Sequence, residues 1–269
     1  MKKKFYKSVI ERLLLESKVD VSMSTLVICG DEFDKAVFKD LGFSNVTISN
    51  LDQRNTPDYY SPYKWMLEDA ENLSFPDNEF DLVVVHAGLH HCRSPHKALL
   101  EMYRVARKTV LVFETRDNFL VRLGNKVGLV SDYEVEAVVG NNNQSGGVRN
   151  TEIPNFIYRF REREVFKTIQ SFAPEFKHEI KYFYGLNMPL ERLRVHKNKA
   201  LVCCAFLSYP FVKLLTWLFP KQSNLFSFSI SKPDKAKDHW PWISLNAGSP
   251  TLNVGWCENR FLTENMEKQ

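Results

Sequence analysis

Two short runs of apolar residues, joined by one amphipathic segment, constrain the fold of this chain more than any other feature. Residues 82–85 and 110–113 are continuous apolar runs, which are typical of strands covered on both faces. The segment between them repeats its apolar residues at helical spacing and leaves Arg104, Arg107 and Lys108 for solvent. Strand, helix and strand in this order predict a parallel βαβ unit.

Polar residues follow both runs, at the positions where parallel sheets bind ligands. Open α/β sheets place their ligands beyond the carboxyl ends of the strands. His86, His90 and His91 follow the first run, and residues 114–118 follow the second. Both groups are therefore predicted at one functional edge of the sheet.

The N-terminal part of the chain shows the same alternation of helix and strand. The segments that carry it are residues 5–17, 26–29, 35–41 and 46–48. A turn with one glycine, Gly30, and then Asp31 follows the first of these strands, and Asp52 follows the second about twenty positions later. This is the layout of a nucleotide-binding half-fold, in which Asp52 would accept two ribose hydroxyls. Other α/β sheets, with Asp52 as a plain loop carboxylate, fit this segment equally well.

The composition is that of a soluble globular protein and argues against several partner classes. Apolar residues make up 44% and charged residues 25% of the chain. The net charge of +4, without a concentrated basic stripe, argues against binding to nucleic acid. Five cysteines without a CxxC pair predict a reducing cytoplasm rather than a disulfide framework. We also expect no signal peptide, since no apolar core follows the first lysines.

Three strings of residues carry a resemblance to a known family. DAENLSFPDNEFDLVVVHAGLHH, then EMYRVAR and VLVFE, resemble the class I S-adenosylmethionine-dependent methyltransferases with a DAE-LPF-D-SFD signature. The resemblance is strong over residues 67–114, moderate over 26–52, and fades after 118. It implies a Rossmann-like α/β fold: a mostly parallel seven-stranded sheet with helices on both faces and a C-terminal antiparallel hairpin. It also implies S-adenosylmethionine as the cofactor.

The resemblance further implies a set of cofactor contacts. Gly30 and Asp31 would pack against the methionine part of the cofactor, although the usual run of glycines is absent there. Asp52 would hold the ribose. Asp69 would accept the adenine amino group, and the backbone N–H of Ala70 would face the adenine ring.

His86, His90 and His91 are the candidate catalytic residues, and by the resemblance His86 also lies near the sulfonium. Methyl transfer mainly requires alignment of the two reactants, but a neutral hydroxyl acceptor must also lose its proton. Histidine titrates in the right range to accept it, with His90 or His86 as the preferred base. The alternative is a role in packing or in capping the next helix. The three histidines, with His96 nearby, could also suggest a metal site. No carboxylate or cysteine except Cys92 completes a recognisable ligand spacing, so no metal is predicted.

Two insertions are predicted in the second half of the chain. Residues 1–118 form the cofactor-binding core, 119–158 a substrate cap, 159–231 the rest of the core with an insertion at 186–224, and 232–269 a tail. The cap contains the soft stretch 140–147 and would contact the substrate through Arg149, Asn150, Asn155 and Tyr158. A disordered linker is the alternative interpretation of residues 119–158.

The most apolar stretch of the sequence, residues 200–219, lies in the second insertion. Twenty residues are enough to span a bilayer, but Pro210 and Lys213 argue against spanning. The remaining interpretations are a helical pair over a substrate tunnel, a homodimer face, and contact with a membrane surface.

The sequence therefore predicts a cytoplasmic, S-adenosylmethionine-dependent methyltransferase with a small-molecule acceptor. The acceptor would be a sugar or a secondary metabolite, methylated on oxygen or nitrogen, and residues 200–219 would allow membrane association. Two other classes stay open: a non-catalytic cofactor-binding or scaffolding protein with the same fold, and an RNA or protein methyltransferase. A nicotinamide dehydrogenase is a weaker rival because the fingerprint glycines are missing.

Overall fold

The computed structural model describes residues 2–188, 193 and 198–262. Nine strands occur in this part of the chain: β1 Thr25–Ile28, β2 Val46–Asn50, β3 Lys64–Leu67, β4 Phe80–His86, β5 Ala106–Thr115, β6 Glu179–Gly185, β7 Leu225–Ser231, β8 Ile243–Asn246 and β9 Ser249–Leu252. The first seven form one sheet in the order β3-β2-β1-β4-β5-β7-β6. All pairs from β3 to β5 are parallel, and β7 is antiparallel to both β5 and β6. The predicted mostly parallel sheet with a C-terminal antiparallel hairpin is confirmed.

Helices cover both faces of this sheet. They are α1 Lys2–Leu15, α2 Glu32–Asp40, α3 Pro57–Tyr60, α4 Pro95–Val105, α5 Phe119–Lys126, α6 Val135–Gly140, α7 Glu162–Phe172, α8 Lys199–Leu218 and α9 Val254–Phe261. One buried cluster joins Leu13 of α1 and Phe38 of α2, and the other joins Leu99 of α4 and Ile169 of α7. Successive residues of β1 and β4 alternate between the two clusters, which explains why both strands read as unbroken apolar runs.

Three segments differ from the sequence predictions. Residues 53–65, predicted as loop, contain α3 and the start of β3, an edge strand too exposed to show an apolar run. The apolar stretch forms one continuous helix, α8, and not a helical pair within residues 200–219. The tail, which showed no regular pattern, contains the β8–β9 hairpin and α9. Parts of the predicted insertion and tail, residues 189–192, 194–197 and 263–269, lie outside the described residues.

The base of α8 is held at the carboxyl edge of β5. Arg116, directly after β5, donates a hydrogen bond to the carbonyl of Lys221, in the short turn after α8. The amide of Asn118 donates to the carbonyl of Ser223 at 2.8 Å. Strand β7 then begins opposite Thr115. The apolar helix therefore leaves the sheet at the same edge where ligands are expected.

Candidate active site

A cleft of about 610 Å³ opens beyond the carboxyl ends of β1, β2 and β4. Its walls come from the turns after β1 and β4, the end of β2, the DAE segment and part of the predicted cap. The sequence-predicted residues in these walls are Gly30, Asp31, Asp52, Asp69, Ala70, His86, His91, Arg149 and Asn150. The structure thus brings most of the candidate residues to one place.

The turn after β1 packs closely against the next strand. A Cβ atom on Gly30 would lie 2.8 Å from Cγ2 of Ile48, which explains the one glycine that this turn retains. Asp31 is the N-cap of α2, and its carboxylate accepts the backbone N–H groups of Phe33 at 2.8 Å and Asp34 at 3.2 Å. Because of this cap, α2 begins at Glu32, three residues before the predicted start.

Asp52 lies at the wall of the cleft and is ionised. Arg54 donates to both of its carboxylate oxygens, from Nε at 2.8 Å and Nη2 at 2.7 Å. These hydrogen bonds lower the pKa of Asp52 below its ordinary value. The side chain therefore has the charge that ribose binding needs, although both oxygens already have a partner.

Asp69, the predicted adenine acceptor, is paired with a residue of the predicted cap. Arg149 Nη2 donates to Asp69 Oδ2 at 2.8 Å, and the backbone N–H of Glu71 donates to Oδ1 at 3.0 Å. Arg149 has a left-handed backbone with φ of 51°. Arg149, predicted as a substrate contact, thus lies on the carboxylate assigned to the cofactor.

The turn after β4 fits tightly against the turn after β1. A Cβ atom on Gly88 would lie 2.9 Å from Cγ2 of Val85 and closer still to Cβ of Cys29. Just before this turn, the imidazole of His86 stacks on the ring of Tyr6, with the ring centroids 4.8 Å apart. The ring of Phe33 lies 5.0 Å from it. These contacts set the orientation of His86 in the cleft wall.

His90 is buried behind the cleft, between two carboxylates. Its Nδ1 lies 2.6 Å from Glu114 Oε2, and its Nε2 lies 3.2 Å from Glu134 Oε2. Burial alone would lower the pKa of His90, but the two carboxylates together raise it to about 10. In this state His90 carries a proton at neutral pH, so it is a poor base there.

His91 is the loop histidine that reaches the cleft, whereas two predicted substrate contacts do not. The Nε2 of His91 lies 3.3 Å from Glu134 Oε2. Asn155 is buried and donates to the carbonyl of His90 at 3.2 Å, so it supports the histidine loop. The hydroxyl of Tyr158 donates to Glu164 outside the cleft.

Sequence reasoning placed Glu114 at the functional edge without a role and missed the roles of Glu134 and Gly88. The position of Glu114, directly after a buried strand, was a usable signal for a site residue. Gly88 lies in the histidine turn, where a lone glycine often marks close backbone approach. Glu134 carried no usable sequence signal, because it is 44 residues from the histidine that it contacts.

Residues 29–113 match a family model described as "Methyltransferase domain". We call residues 29–113 the methyltransferase domain, after the family model that they resemble. The match covers about a third of the chain, begins directly after β1, and includes β2, β3, β4, most of β5 and much of the cleft wall. It confirms the predicted methyltransferase class and, with it, S-adenosylmethionine as the cofactor of the domain.

The methyltransferase domain also has curated relatives, over a short stretch. The ubiquinone/menaquinone biosynthesis C-methyltransferase UbiE of Neisseria meningitidis serogroup C is 52% identical over 50 residues, or 18% of this chain and 20% of that protein. UbiE of Psychromonas ingrahamii is 48% identical over 50 residues, or 17% and 20% of the two chains. The chain thus spans about a fifth of the length of these relatives.

Among solved structures, the [4+2]-cyclase SpnF shares the fold of this chain. The TM-score is 0.50 at 16% sequence identity, over 84% of this chain and 81% of the cyclase. This similarity shows the fold alone. Because that protein is named a cyclase, the methyltransferase domain has to be assigned its reaction from its site.

Proposed function

We propose that this chain transfers a methyl group from S-adenosylmethionine to a small-molecule acceptor, and that it is of the DAE-LPF-D-SFD type. One observation carries the proposal. Within a methyltransferase domain, the cleft walls bring together the turn at Gly30, the ionised Asp52 and the DAE aspartate Asp69. These groups match the three parts of the cofactor: methionine, ribose and adenine.

In the proposed complex the chain mainly binds and aligns the two reactants. Asp52 accepts the ribose hydroxyls, and Asp69 accepts the adenine amino group after releasing Arg149. Residues 119–158 act as the cap, since Gly147, Arg149 and Asn150 already line the cleft. A cap of this kind excludes water and holds the acceptor in line with the methyl group.

We propose a sugar or secondary metabolite as the acceptor, with oxygen or nitrogen as the methylated atom. An acceptor hydroxyl must lose its proton, and His91 at the cleft wall, next to the Glu134 carboxylate, supports such a step. His86 remains a second candidate because it also lines the cleft. His90 would position His91 and Glu134 rather than accept the proton itself.

A second candidate function is that of a non-catalytic protein with the methyltransferase fold. It is favoured by one observation: Arg54 and Arg149 already occupy the carboxylates of Asp52 and Asp69. In that case Arg54 and Arg149, rather than a cofactor, would be the partners of the two cleft carboxylates.

Calorimetric titration with S-adenosylmethionine and S-adenosylhomocysteine separates the two candidates. We expect micromolar binding of both compounds by the wild-type protein. Asp52→Ala and Asp69→Ala should each weaken binding about 10- to 100-fold, because each removes a charged hydrogen-bond acceptor worth about 1.5–3 kcal/mol. Neither change should unfold the protein.

Asp58→Ala is the matched control, since Asp58 is exposed on α3 and does not line the cleft. It should leave the dissociation constant unchanged. Wild-type affinity in both cleft variants would show that the pocket assignment is wrong. Absence of binding by the wild-type protein at millimolar cofactor would favour the non-catalytic function.

We further propose that α8 contacts a lipid bilayer, so that a cytoplasmic enzyme works at a membrane surface. The helix has 20 residues, a mean hydropathy of 1.7 in its most apolar window and one buried residue, Thr216. It is about 30 Å long, which matches the hydrocarbon thickness of a bilayer, and it contains no acidic residue. Large apolar side chains are exposed along one face of it, among them Leu207, Phe211 and Trp217. A long apolar face of this kind is what a helix lays against a bilayer surface.

Flotation with phosphatidylcholine–phosphatidylglycerol vesicles tests this contact. We expect the wild-type protein to float with the vesicles and the combined variant Leu207→Ser, Phe211→Ser, Trp217→Ser to lose at least about 100-fold in partitioning. The reason is that each buried large apolar side chain contributes about 1.5–3 kcal/mol. The control variant replaces three residues of similar exposure, Leu252, Val254 and Phe261, by serine and should still float. A wild-type protein that stays in solution as a dimer would contradict the proposal.

A further inference from the structure

Three side chains, one lining the cleft and two beside it, have ligand atoms close enough to share one ion. They are His90, His91 and Glu134, with one nitrogen or oxygen from each lying within 4.8 Å of the others. Glu134 Oε2 lies 3.2 Å from His90 Nε2 and 3.3 Å from His91 Nε2. Ligands bound at the usual zinc distances of about 2.0–2.2 Å in a tetrahedron lie about 3.3 Å from one another. The two measured distances match that geometry.

The second nitrogen of each imidazole faces a hydrogen-bond acceptor. His90 Nδ1 lies 2.6 Å from Glu114 Oε2, and His91 Nδ1 lies 3.4 Å from the carbonyl oxygen of Gly147. A bound ion would displace the proton from Nε2 of His90, because metal binding releases the protons of its ligands. When each Nδ1 donates its hydrogen to that acceptor, each Nε2 then presents a lone pair to the ion. Metal-binding histidines are usually oriented in this way, by a carboxylate or a backbone carbonyl on the far nitrogen.

The carboxylate is also held in place. Asn155, which is 2% exposed, has its amide nitrogen 3.4 Å from Glu134 Oε2 and donates to the carbonyl of His90. Its amide oxygen is buried without a hydrogen-bond partner in the described part of the chain. Three separate groups, Glu114, Gly147 and Asn155, therefore fix the positions of the three ligands.

We propose that His90, His91 and Glu134 bind one divalent transition-metal ion, with Zn²⁺ as the best match. Two imidazoles and one carboxylate are a ligand set typical of catalytic zinc, which keeps its fourth position for water or substrate. His91 lines the cleft, so this position faces the acceptor side.

The role of this ion rests on the proposed methyl transfer. With the ion bound, His91 would be a ligand and would no longer serve as the base. An acceptor hydroxyl bound to the ion would instead give up its proton to water more easily than a free hydroxyl. Its oxygen then forms the new bond to the methyl carbon as the bond from that carbon to sulfur breaks. Sulfur keeps the electron pair and becomes the neutral thioether of S-adenosylhomocysteine.

Zinc binding to the chelator-treated full chain tests the site. Elemental analysis after equilibrium dialysis should give one Zn²⁺ per chain, with sub-micromolar affinity in competition with a chromophoric chelator. His91→Ala and Glu134→Gln should each lower this affinity at least about tenfold, because each removes one of three ligands. His96→Ala is the control, since His96 forms a similar pair with Glu164, at 2.7 Å, but is outside the cluster. It should bind zinc like the wild type.

Bound Co²⁺ gives a second measurement that does not depend on activity. The wild-type protein should show the visible absorption of tetrahedral Co²⁺, and His91→Ala should lose it while its circular dichroism stays unchanged. Equal zinc binding by the wild type and His91→Ala, or none at micromolar zinc, would overturn the proposal. Cofactor titration of the metal-free protein separates the two hypotheses: cofactor binding without zinc binding contradicts only the metal site, and zinc binding without cofactor binding contradicts only the proposed methyl transfer.

Discussion

Gly88→Ala is expected to destabilise the protein by about 2–4 kcal/mol, near the upper end of what overpacking costs in a core. The new methyl carbon would lie 2.9 Å from Val85 Cγ2 and closer still to Cβ of Cys29. A Cβ atom moves only with its backbone, and Cys29 already has a left-handed φ of 53°. The turns after β1 and β4 therefore have to separate. Since both turns line the cleft, cofactor affinity should fall together with stability.

Urea denaturation, followed by circular dichroism, measures this cost. Gly140→Ala is the matched control, because nothing lies within 4 Å of the Cβ position at Gly140, at the end of α6. The control should be as stable as the wild type or slightly more stable, as expected for Gly→Ala in a helix. Equal denaturation midpoints for the two variants would show that the two turns are not closely packed.

Arg116→Ala is expected to cost about 3–5 kcal/mol, the range for removing one partner of a buried ion pair. Arg116 is 8% exposed and donates to Glu162 from Nε at 3.0 Å and from Nη2 at 2.7 Å. The same guanidinium holds the carbonyl of Lys221, below α8. The substitution leaves the partly buried Glu162 carboxylate without its cation, although Tyr184 still donates to it at 2.6 Å, and it releases the base of the apolar helix.

The loss of stability in Arg116→Ala should depend on pH in a defined direction. Burial raises the pKa of Glu162, but hydrogen bonds from Arg116 and Tyr184 outweigh it and hold the pKa below the ordinary 4.5. The pair thus contributes fully above about pH 4.5, and its contribution is lost as the pH falls through the lowered pKa. The difference in unfolding free energy between wild type and Arg116→Ala should narrow in acid. Arg122→Ala, which removes an exposed arginine 3.7 Å from Asp117, should cost less than about 1 kcal/mol at any pH. An equal loss of unfolding free energy in Arg116→Ala and Arg122→Ala would show that the buried pair contributes no more than an exposed one.

The parts of the fold that were predicted from sequence are those with a buried, periodic pattern. Strands β1, β4 and β5 are covered on both faces, and their apolar runs have no other simple explanation. Strand β3 pairs with one neighbour at the sheet edge and is mostly exposed, so its sequence, KWML, looked like part of a loop. The stretch forming α8 was recognised as apolar, but its packing was not predicted, because an apolar pattern does not say what covers it.

In the candidate site, too, only some of the residues could be predicted from the sequence. Asp52 and Asp69 were found because each has a fixed position relative to a strand or a motif. Their partners could not be found in this way, since Arg149 is 80 residues from Asp69. The same holds for the pairing of His90 with Glu134, which sits on the loop before α6. Only the folded chain brings such residues together, and their charges change what each can do: the carboxylates of Glu114 and Glu134 raise the pKa of His90, a preferred base by its loop position.

The Arg149–Asp69 pair links the cap to the cofactor. In the proposed complex adenine and Arg149 compete for one carboxylate, so each weakens the binding of the other by the same factor. For an exposed pair worth up to about 1 kcal/mol, that factor is about fivefold or less. Arrival of the cofactor would therefore detach Arg149 from Asp69 and leave Glu71, whose Oε2 lies 3.9 Å from Arg149 Nη1, as its neighbouring carboxylate. An anionic acceptor that binds this arginine would then bind more tightly after the cofactor than before it, which gives the two substrates a preferred order of addition.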